Sequence, residues 1–224
     1  MTARTKYLAV LIAALALVVS GCGGSGDTKS KSPKKPAAAA CTYIAGDQAP
    51  ARKVKLPPAT PTETGSVDVS IGTNFGDMTA TLDAKNAPCA VNAFLSLAKQ
   101  GYYDKTTCHR VSVDSRGFHI LQCGDPTATG TGDPGYRYAE EVTGKETYGA
   151  GTLAMAKTQQ PSSTGAQFFV VFGATQLPPE YTVLGKLTAE GLKVAQKATA
   201  AALKGKPDPY DGTPATKVDL TTVR

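Results

Sequence analysis

The sequence predicts a mainly β protein built from many short strands and two helices. Apolar and polar residues alternate in several short segments, which is the pattern of half-buried strands. Only two segments, near Pro88 and Glu190, have helical character. Because helices do not regularly separate the strands, an antiparallel barrel or sandwich is predicted in preference to a parallel βαβ sheet.

The predicted elements begin with a hairpin, since residues 66–72 and 78–82 alternate on either side of a turn at 74–77. A helix is expected from Pro88, which suits a first turn, to a C-terminus closed by Gly101. Further strands are predicted around 108–113, 119–123, 152–156, 166–172 and 182–187, followed by a helix over Glu190–Leu203 and a last strand at Val218 and Leu220.

The N-terminal segment 1–21 is predicted to be a lipoprotein signal peptide. A basic start precedes a 13-residue apolar run, which is shorter than the about 20 residues of a membrane span. The following tetrapeptide, which ends at Cys22, resembles a bacterial lipobox, so Cys22 is the expected lipidation site. This predicts an extracytoplasmic protein, anchored to the outer face of the cytoplasmic membrane through Cys22. An uncleaved anchor and a plain signal peptide are the alternatives, and both also place the rest of the chain outside that membrane.

The segment 22–64 is expected to contain the lipid-anchored cysteine, a flexible tether and a Pro-rich extension. Residues 23–40 are too polar and simple to pack, whereas 41–64 are irregular and contain Cys41, which suggests that they are pinned to the domain that follows. That domain spans 65–224. The net charge of +6 is small and scattered, so no nucleic-acid partner is expected.

Four cysteines remain once Cys22 is assigned to the lipid: Cys41, Cys89, Cys108 and Cys123. An even number in an oxidising compartment favours two disulfides. Three pairings are possible, and the cysteine count does not choose among them.

The segment TCHRVSVDSRGFHILQCGD, residues 107–125, contains both histidines of the chain and suggests a metal or nucleophile site. On a strand, however, Cys108 and His109 point to opposite faces, and the spacing of His119 and Cys123 suits only a helix. A bridged Cys108 is no nucleophile. The GTGDPG stretch at 130–135 matches a dinucleotide-binding pattern by letter, but no helix follows it, so a turn-rich loop is expected. No metal and no cofactor are predicted.

Several motifs occur together in a fixed order: His109-Arg110, Gln122-Cys123-Gly124-Asp125, Met155-Ala156 and Gln167-Phe168-Phe169. With TNFGDMTATL, NAPCAVNAFLSLAKQGYYD, GTLAMA and YTVLGKL, they make the chain from about residue 65 onward closely resemble the cyclophilin peptidyl-prolyl isomerases. The resemblance implies an eight-stranded antiparallel barrel capped by two helices. It also implies proline-containing polypeptides as substrates, isomerisation without a cofactor, and a monomer.

The resemblance implies that Arg110 is the catalytic residue. When an X–Pro amide twists, the proline nitrogen gains a lone pair to which a fixed guanidinium can donate, a contact absent from the planar amide. The same resemblance implies that Gln122 binds the substrate backbone and that Phe169 forms the floor of the proline pocket. It adds three further substrate contacts: Ile120, Ala156 and Lys157.

This sequence departs from the family pattern at the pocket rim. Extra residues follow Arg110, so the family's pocket phenylalanine falls on His119 by counting back from Gln122, or on Phe118 by its Gly-Phe neighbourhood; His119 is preferred. Leu177 replaces a frequent tryptophan, and Tyr181 replaces a histidine. These changes leave open a second function, a catalytically weak module that binds proline peptides in the cell envelope.

The barrel implied by the resemblance also bears on the disulfides. Cys108 and Cys123 would lie nearly opposite each other on one hairpin, so this pairing is preferred and leaves Cys41 with Cys89 at the start of the first helix. A peptide that joined Cys41 to Cys123 would contradict this assignment.

Overall fold

The computed structural model describes residues 40–114 and 117–224. The predicted signal peptide, the lipidation site Cys22 and all of the tether before residue 40 lie outside the described residues. In the described ranges, no helix combines the length and the apolar character needed to cross a membrane.

One curled antiparallel sheet forms a half-barrel with two helices packed against it. The strands are β1 (Ile44–Ala45), β2 (Ser66–Thr73), β3 (Gly76–Asp83), β4 (Thr106–Thr107), β5 (Arg110–Val113), β6 (Ile120–Cys123), β7 (Tyr136–Arg137), β8 (Thr152–Met155), β9 (Phe168–Val171), β10 (Val183–Leu187), β11 (Tyr210–Gly212) and β12 (Asp219–Val223). The helices are α1 (Pro88–Lys99) and α2 (Ala189–Ala202).

The large sheet has the strand order β11-β5-β6-β9-β8-β10-β3-β2-β12-β4, and β1 pairs separately with β7. Every predicted strand and both predicted helices are present, which confirms the mainly β, two-helix fold. The short strands β4 and β11 extend the expected eight strands to ten. Two or three residues are too few to show alternation, so none of β1, β4, β7 and β11 was predictable from the sequence pattern.

The hairpin of β2 and β3 has an unbroken register from Ser66 opposite Asp83 to Thr73 opposite Gly76. Gly76 has a φ of +121°, a backbone conformation that favours glycine at this turn. The Thr73 hydroxyl donates to the Gly76 carbonyl at 2.7 Å and accepts from the Phe75 amide at 3.0 Å, which closes the turn.

The two helices begin with different caps. Pro88 occupies the first turn of α1, and the Glu141 carboxylate, from a distant loop, accepts the amides of Cys89 and Ala90 at 3.0 and 2.8 Å. Negative charge at this position complements the helix dipole. Helix α2 instead follows Thr188, whose hydroxyl accepts the Gly191 amide at 3.0 Å.

The segment 40–64 packs on the domain. Cys41 and Cys89 form a disulfide with their Cα atoms 5.4 Å apart, and β1 joins this segment to β7. Arg52 Nη1 donates to three carbonyls that follow α1, those of residues 101, 102 and 104, at 3.1, 3.1 and 2.6 Å. The second disulfide joins Cys108 to Cys123, with Cα atoms 4.0 Å apart. Both pairs are those that the sequence analysis preferred.

The Cys41–Cys89 disulfide closes a loop of 48 residues, so it should restrict the unfolded chain strongly. We expect the double variant Cys41→Ala, Cys89→Ala to lower the free energy of unfolding by about 4 kcal/mol, the loop-entropy value for this length. Urea unfolding followed by far-UV circular dichroism measures the change. A loss below about 1 kcal/mol would show that the non-covalent contacts of the extension suffice, because one such contact is of that order.

Candidate functional site

Four neighbouring strands place one row of side chains side by side. Arg110 on β5 pairs with Gln122 on β6, Gln122 pairs with Phe169 on β9, and Phe169 pairs with Ala154 on β8. Successive residues of a strand point to opposite faces. The neighbours of this row therefore enter the main core instead: Val111, Leu121, Val170 and Leu153. The pairing register of these four strands thus places the site residues on one face of the sheet and the core residues on the other.

An apolar cluster, at the position of the predicted proline pocket, lies on the same face as this row. Its buried residues are Ile120, Tyr148, Ala154, Phe169 and Val171. Five partly buried side chains pack against them: Phe118, Ala156, Leu177, Tyr181 and Val183. The structure therefore brings six of the predicted substrate-binding residues into one cluster, although they come from separate parts of the chain.

Aromatic rings form one wall of the pocket. The Tyr181 ring meets Phe169 edge-to-face, with ring centroids 5.5 Å apart, and lies 6.1 Å from the Tyr148 ring. The Tyr148 hydroxyl donates to the Tyr181 carbonyl at 3.0 Å and accepts the Tyr181 amide at 2.9 Å. Tyr148 thus fixes the loop that presents Tyr181. The sequence analysis missed Tyr148 because it lies in a Gly-rich loop without apolar periodicity.

Arg110 is held at the edge of the pocket by three partners. Its Nε and Nη2 donate to the two carboxylate oxygens of Asp211 at 2.6 and 2.8 Å, and Nη1 donates to Gln122 Oε1 at 3.1 Å. Its Cζ lies 5.5 Å from the centroid of the Phe118 ring. The hydrogen bonds to Asp211 raise the pKa of Arg110, and the Arg110 guanidinium lowers the pKa of Asp211. The pair is therefore ionised at neutral pH.

Gln122 continues this polar chain across the sheet. Its Nε2 donates to Gln167 Oε1 at 2.9 Å, and Gln167 Nε2 donates to the carbonyls of Gly130 and Gly132 at 2.9 and 3.1 Å. Because each amide both donates and accepts, the orientation of the Gln122 side chain is fixed.

The loop that receives Gln167 is organised by Asp125, which is fully buried. The Asp125 carboxylate accepts the amides of Gly130 and Gly132 at 2.7 and 3.1 Å. It also accepts the amides of two threonines that precede these glycines, Thr127 and Thr129. Residues 130–135 form no helix, as expected for a turn-rich loop. The glycine amides are thus used by an internal carboxylate and are not free for a phosphate.

A family model described as cyclophilin type peptidyl-prolyl cis-trans isomerase/CLD matches residues 67–223. This chain belongs to that family. The chain is 40% identical over 208 residues to a probable peptidyl-prolyl cis-trans isomerase B of Mycobacterium tuberculosis, which covers 85% of this chain and 66% of the relative. A protein of the same name from Mycobacterium leprae is 39% identical over 198 residues, 82% of this chain and 66% of the relative. The matched region therefore spans slightly less than two thirds of the length of these relatives.

Among solved structures, the chain is similar to a Cryptosporidium parvum cyclophilin type peptidyl-prolyl cis-trans isomerase crystallised in the presence of the dipeptide Ala-Pro. The two share 30% identity with a TM-score of 0.57, over 70% of this chain and 97% of the other. The chain thus has the cyclophilin fold, as the sequence motifs predicted.

Phe118, and not His119, faces the cyclophilin pocket. The His119 ring meets Phe172 edge-to-face at 5.6 Å, and its Nδ1 contacts the Ala174 carbonyl. Phe118 instead packs in the same apolar cluster as Ile120. Counting back from Gln122 preferred His119, whereas the Gly-Phe neighbourhood gave Phe118. The structure therefore favours Phe118 as the ring of the pocket.

Lys157 lies at the rim. Its Nζ donates to the Thr158 carbonyl at 3.1 Å and lies 3.8 Å from Glu180 Oε2 and 5.9 Å from the Tyr181 ring centroid. Beside it, a cleft of about 340 Å³ continues from the pocket. Its lining includes Gln122, Ala156, Lys157, Gln167 and, from the N-terminal extension, Gln48.

The four cysteines among the described residues are all bonded in disulfides. Cys108 and Cys123 are bonded to each other, and burial lowers the pKa of His109. Within residues 40–114 and 117–224, no three His, Cys, Asp or Glu residues are grouped so as to hold a metal ion.

Tyr148 offers a test of how the pocket wall is built. We expect Tyr148→Phe to lower the free energy of unfolding by about 1–3 kcal/mol, because the Tyr181 amide and carbonyl lose their partner in a partly buried position. Tyr210→Phe is the matched control, since its hydroxyl makes one exposed hydrogen bond, to the Thr213 carbonyl. Thermal and urea unfolding compare the two. Equal small losses would show that the Tyr148 hydroxyl does not hold the Tyr181 loop.

Proposed function

We propose that this protein is a peptidyl-prolyl cis-trans isomerase that assists the folding of exported proteins. The observation that carries the proposal is Arg110, a charged donor held in one geometry at the edge of an apolar pocket floored by Phe169. Membership of the cyclophilin family and the names of the relatives support it. The Cryptosporidium neighbour, crystallised in the presence of Ala-Pro, supports a proline-containing substrate.

The chemistry requires no covalent step. An amide resists rotation by ~18–20 kcal/mol because its C–N bond has partial double-bond character. Uncatalysed X–Pro isomerisation takes about 10–100 s at 25 °C. An enzyme that binds the twisted amide more tightly than either planar form lowers this barrier, and ~7 kcal/mol of such preference gives a rate increase of about 10⁵-fold.

The pocket holds the proline side of the amide bond in place during this rotation. The proline ring packs on Phe169 with Ile120, Phe118, Leu177 and Tyr181 around it, so the ring is held while the residue before proline turns. Gln122 binds the substrate backbone, and Ala156 contacts the residue before proline. With Gln122 oriented by Gln167, the backbone contact forms without reorganisation of the enzyme.

Arg110 acts on the nitrogen of the bond that rotates. In the planar amide this nitrogen has no lone pair to offer, and in the twisted amide it has one. A guanidinium N–H therefore gains an acceptor only near the transition state, which is the condition for raising the rate instead of the affinity. The ionised state of Arg110 keeps this donor available at neutral pH.

The cleft next to Lys157 extends the site along the peptide. It continues from Gln122 and Ala156, so the residues flanking the X–Pro unit enter it. Because Gln48 lines the same cleft, the N-terminal extension contributes to the surface that meets the substrate.

We further propose that Cys22 is acylated and holds the enzyme on the outer face of the cytoplasmic membrane. The support is the sequence alone: a basic start, a short apolar run and a lipobox-like tetrapeptide. Two disulfides in the described domain are consistent with an oxidising compartment. Proteins that emerge from export with non-native X–Pro isomers are then the substrates within reach.

The activity is tested on a short X–Pro peptide with Arg110→Ala beside the wild type. We expect the wild type to accelerate isomerisation and Arg110→Ala to reduce kcat/KM by about 10²-fold or more, the cost of losing one preorganised charged donor. NMR exchange spectroscopy on the peptide measures both rates.

Arg137→Ala is the matched control for Arg110→Ala. Arg137 also pairs with an aspartate, Asp47, and the two arginine side chains are equally exposed, at 34% each. This variant should retain wild-type turnover. A wild type that binds the peptide without accelerating its isomerisation would instead identify the alternative function, a proline-peptide binding module.

Acylation is tested by Cys22→Ala in the full-length chain, expressed in a bacterium that processes lipoproteins. We expect the wild type to incorporate labelled palmitate and to partition into the detergent phase, and Cys22→Ala to do neither, because no other residue of the lipobox can be acylated. Equal partition of both proteins would show that the apolar run itself is the anchor.

A further inference from the structure

We infer that Asp211 is a positioning residue for catalysis: it fixes the guanidinium of Arg110 in the orientation that the twisted amide requires. This inference rests on the proposed function and deepens it. Asp211 has no counterpart among the motifs that identify the family in this sequence, and it lies 101 positions after Arg110 in the chain.

The sheet brings the two residues together. Strand β11 adds to the edge of β5, with Asp211 opposite Ser112 and Gly212 opposite Val111. Diagonal neighbours on paired strands are within reach of long side chains. The Asp211 carboxylate therefore meets the guanidinium in the two-pronged arrangement, with Nε–Oδ1 at 2.6 Å and Nη2–Oδ2 at 2.8 Å.

This arrangement leaves two N–H donors of the guanidinium available for the substrate. Of the five N–H groups of Arg110, two donate to Asp211 and one donates to Gln122. The remaining two, one on each Nη atom, have no hydrogen-bond partner among the described residues. Asp211 thus occupies one side of the guanidinium and directs the other donors toward the side where Gln122 and the pocket lie.

Asp211 acts through Arg110 and does not contact the substrate. Among the described residues that line the apolar pocket and the adjoining cleft, Asp211 is absent. Its side chain is 54% exposed and that of Arg110 is 34% exposed, and ion pairs this exposed contribute little to folding. A flexible arginine, by contrast, must lose its rotational freedom before it can stabilise a transition state. The ion pair is therefore better suited to orienting the Arg110 guanidinium than to stabilising the fold.

The test measures turnover and the state of Arg110 separately. We expect Asp211→Ala to lower kcat about tenfold, because a misplaced donor is costly to the transition state, while KM for the same X–Pro peptide changes less than about twofold. Asp211→Asn, which retains one acceptor oxygen, should fall between Asp211→Ala and the wild type. In ¹⁵N NMR spectra, the Arg110 Nε–H signal should be protected from exchange with water in the wild type and lose that protection in Asp211→Ala.

Asp104→Ala is the matched control, because Asp104 also binds an arginine, Arg224, through both carboxylate oxygens, at 3.0 Å from Nη1 and 2.5 Å from Nη2. It lies outside the pocket and should leave kcat unchanged. Melting temperatures of the variants exclude a general loss of folding.

The outcomes separate this inference from the proposed function. An active wild type with an equally active Asp211→Ala variant, or an Arg110 Nε–H signal unaffected by the substitution, would overturn the role of Asp211 alone. An inactive wild type would overturn the proposed function and, with it, any catalytic role for Asp211. Loss of kcat in Asp211→Ala together with loss of Arg110 protection supports the inference.

Discussion

The alternation of side chains across β5, β6, β9 and β8 is the constraint on which the rest of this molecule depends. In these strands each residue that points to the pocket lies between residues that pack the core, so a shift of one residue would exchange the two sets. Arg110, Gln122 and Phe169 share a face only because their strands pair in one register. The stability of the core and the geometry of the site are therefore determined together.

The site divides into an apolar half and a polar half, and this division suits the proposed rotation of an X–Pro bond. In the proposed function, the apolar half holds the proline ring by packing. The polar half is a chain of hydrogen bonds from Asp211 through Arg110, Gln122 and Gln167 to the loop organised by Asp125. Preorganised donors stabilise a transition state without the cost of reorienting at each turnover. In the proposed mechanism, the loop and the edge strand therefore serve the reaction from outside the pocket.

The N-terminal extension changes what this cyclophilin domain presents to its surroundings. The Cys41–Cys89 disulfide, the β1–β7 pairing and the contacts of Arg52 hold residues 40–64 against the domain. Gln48 consequently reaches the cleft beside the pocket. In the proposed function, this extension connects the domain to the membrane anchor and also contributes to the surface that meets the substrate.

The sequence by itself determined the eight longer strands, the two helices and most residues of the apolar cluster. Alternation and helix-end residues are local signals, and the motif order from His109-Arg110 to Gln167-Phe168-Phe169 indicated the family. Tertiary structure alone decided three features: the choice of Phe118 over His119, the Tyr148 support of Tyr181, and the pairing of Asp211 with Arg110. Each of these features depends on contacts between distant parts of the chain, which leave no periodic pattern in the sequence. The Asp211 contact also depends on β11, a strand of only three residues.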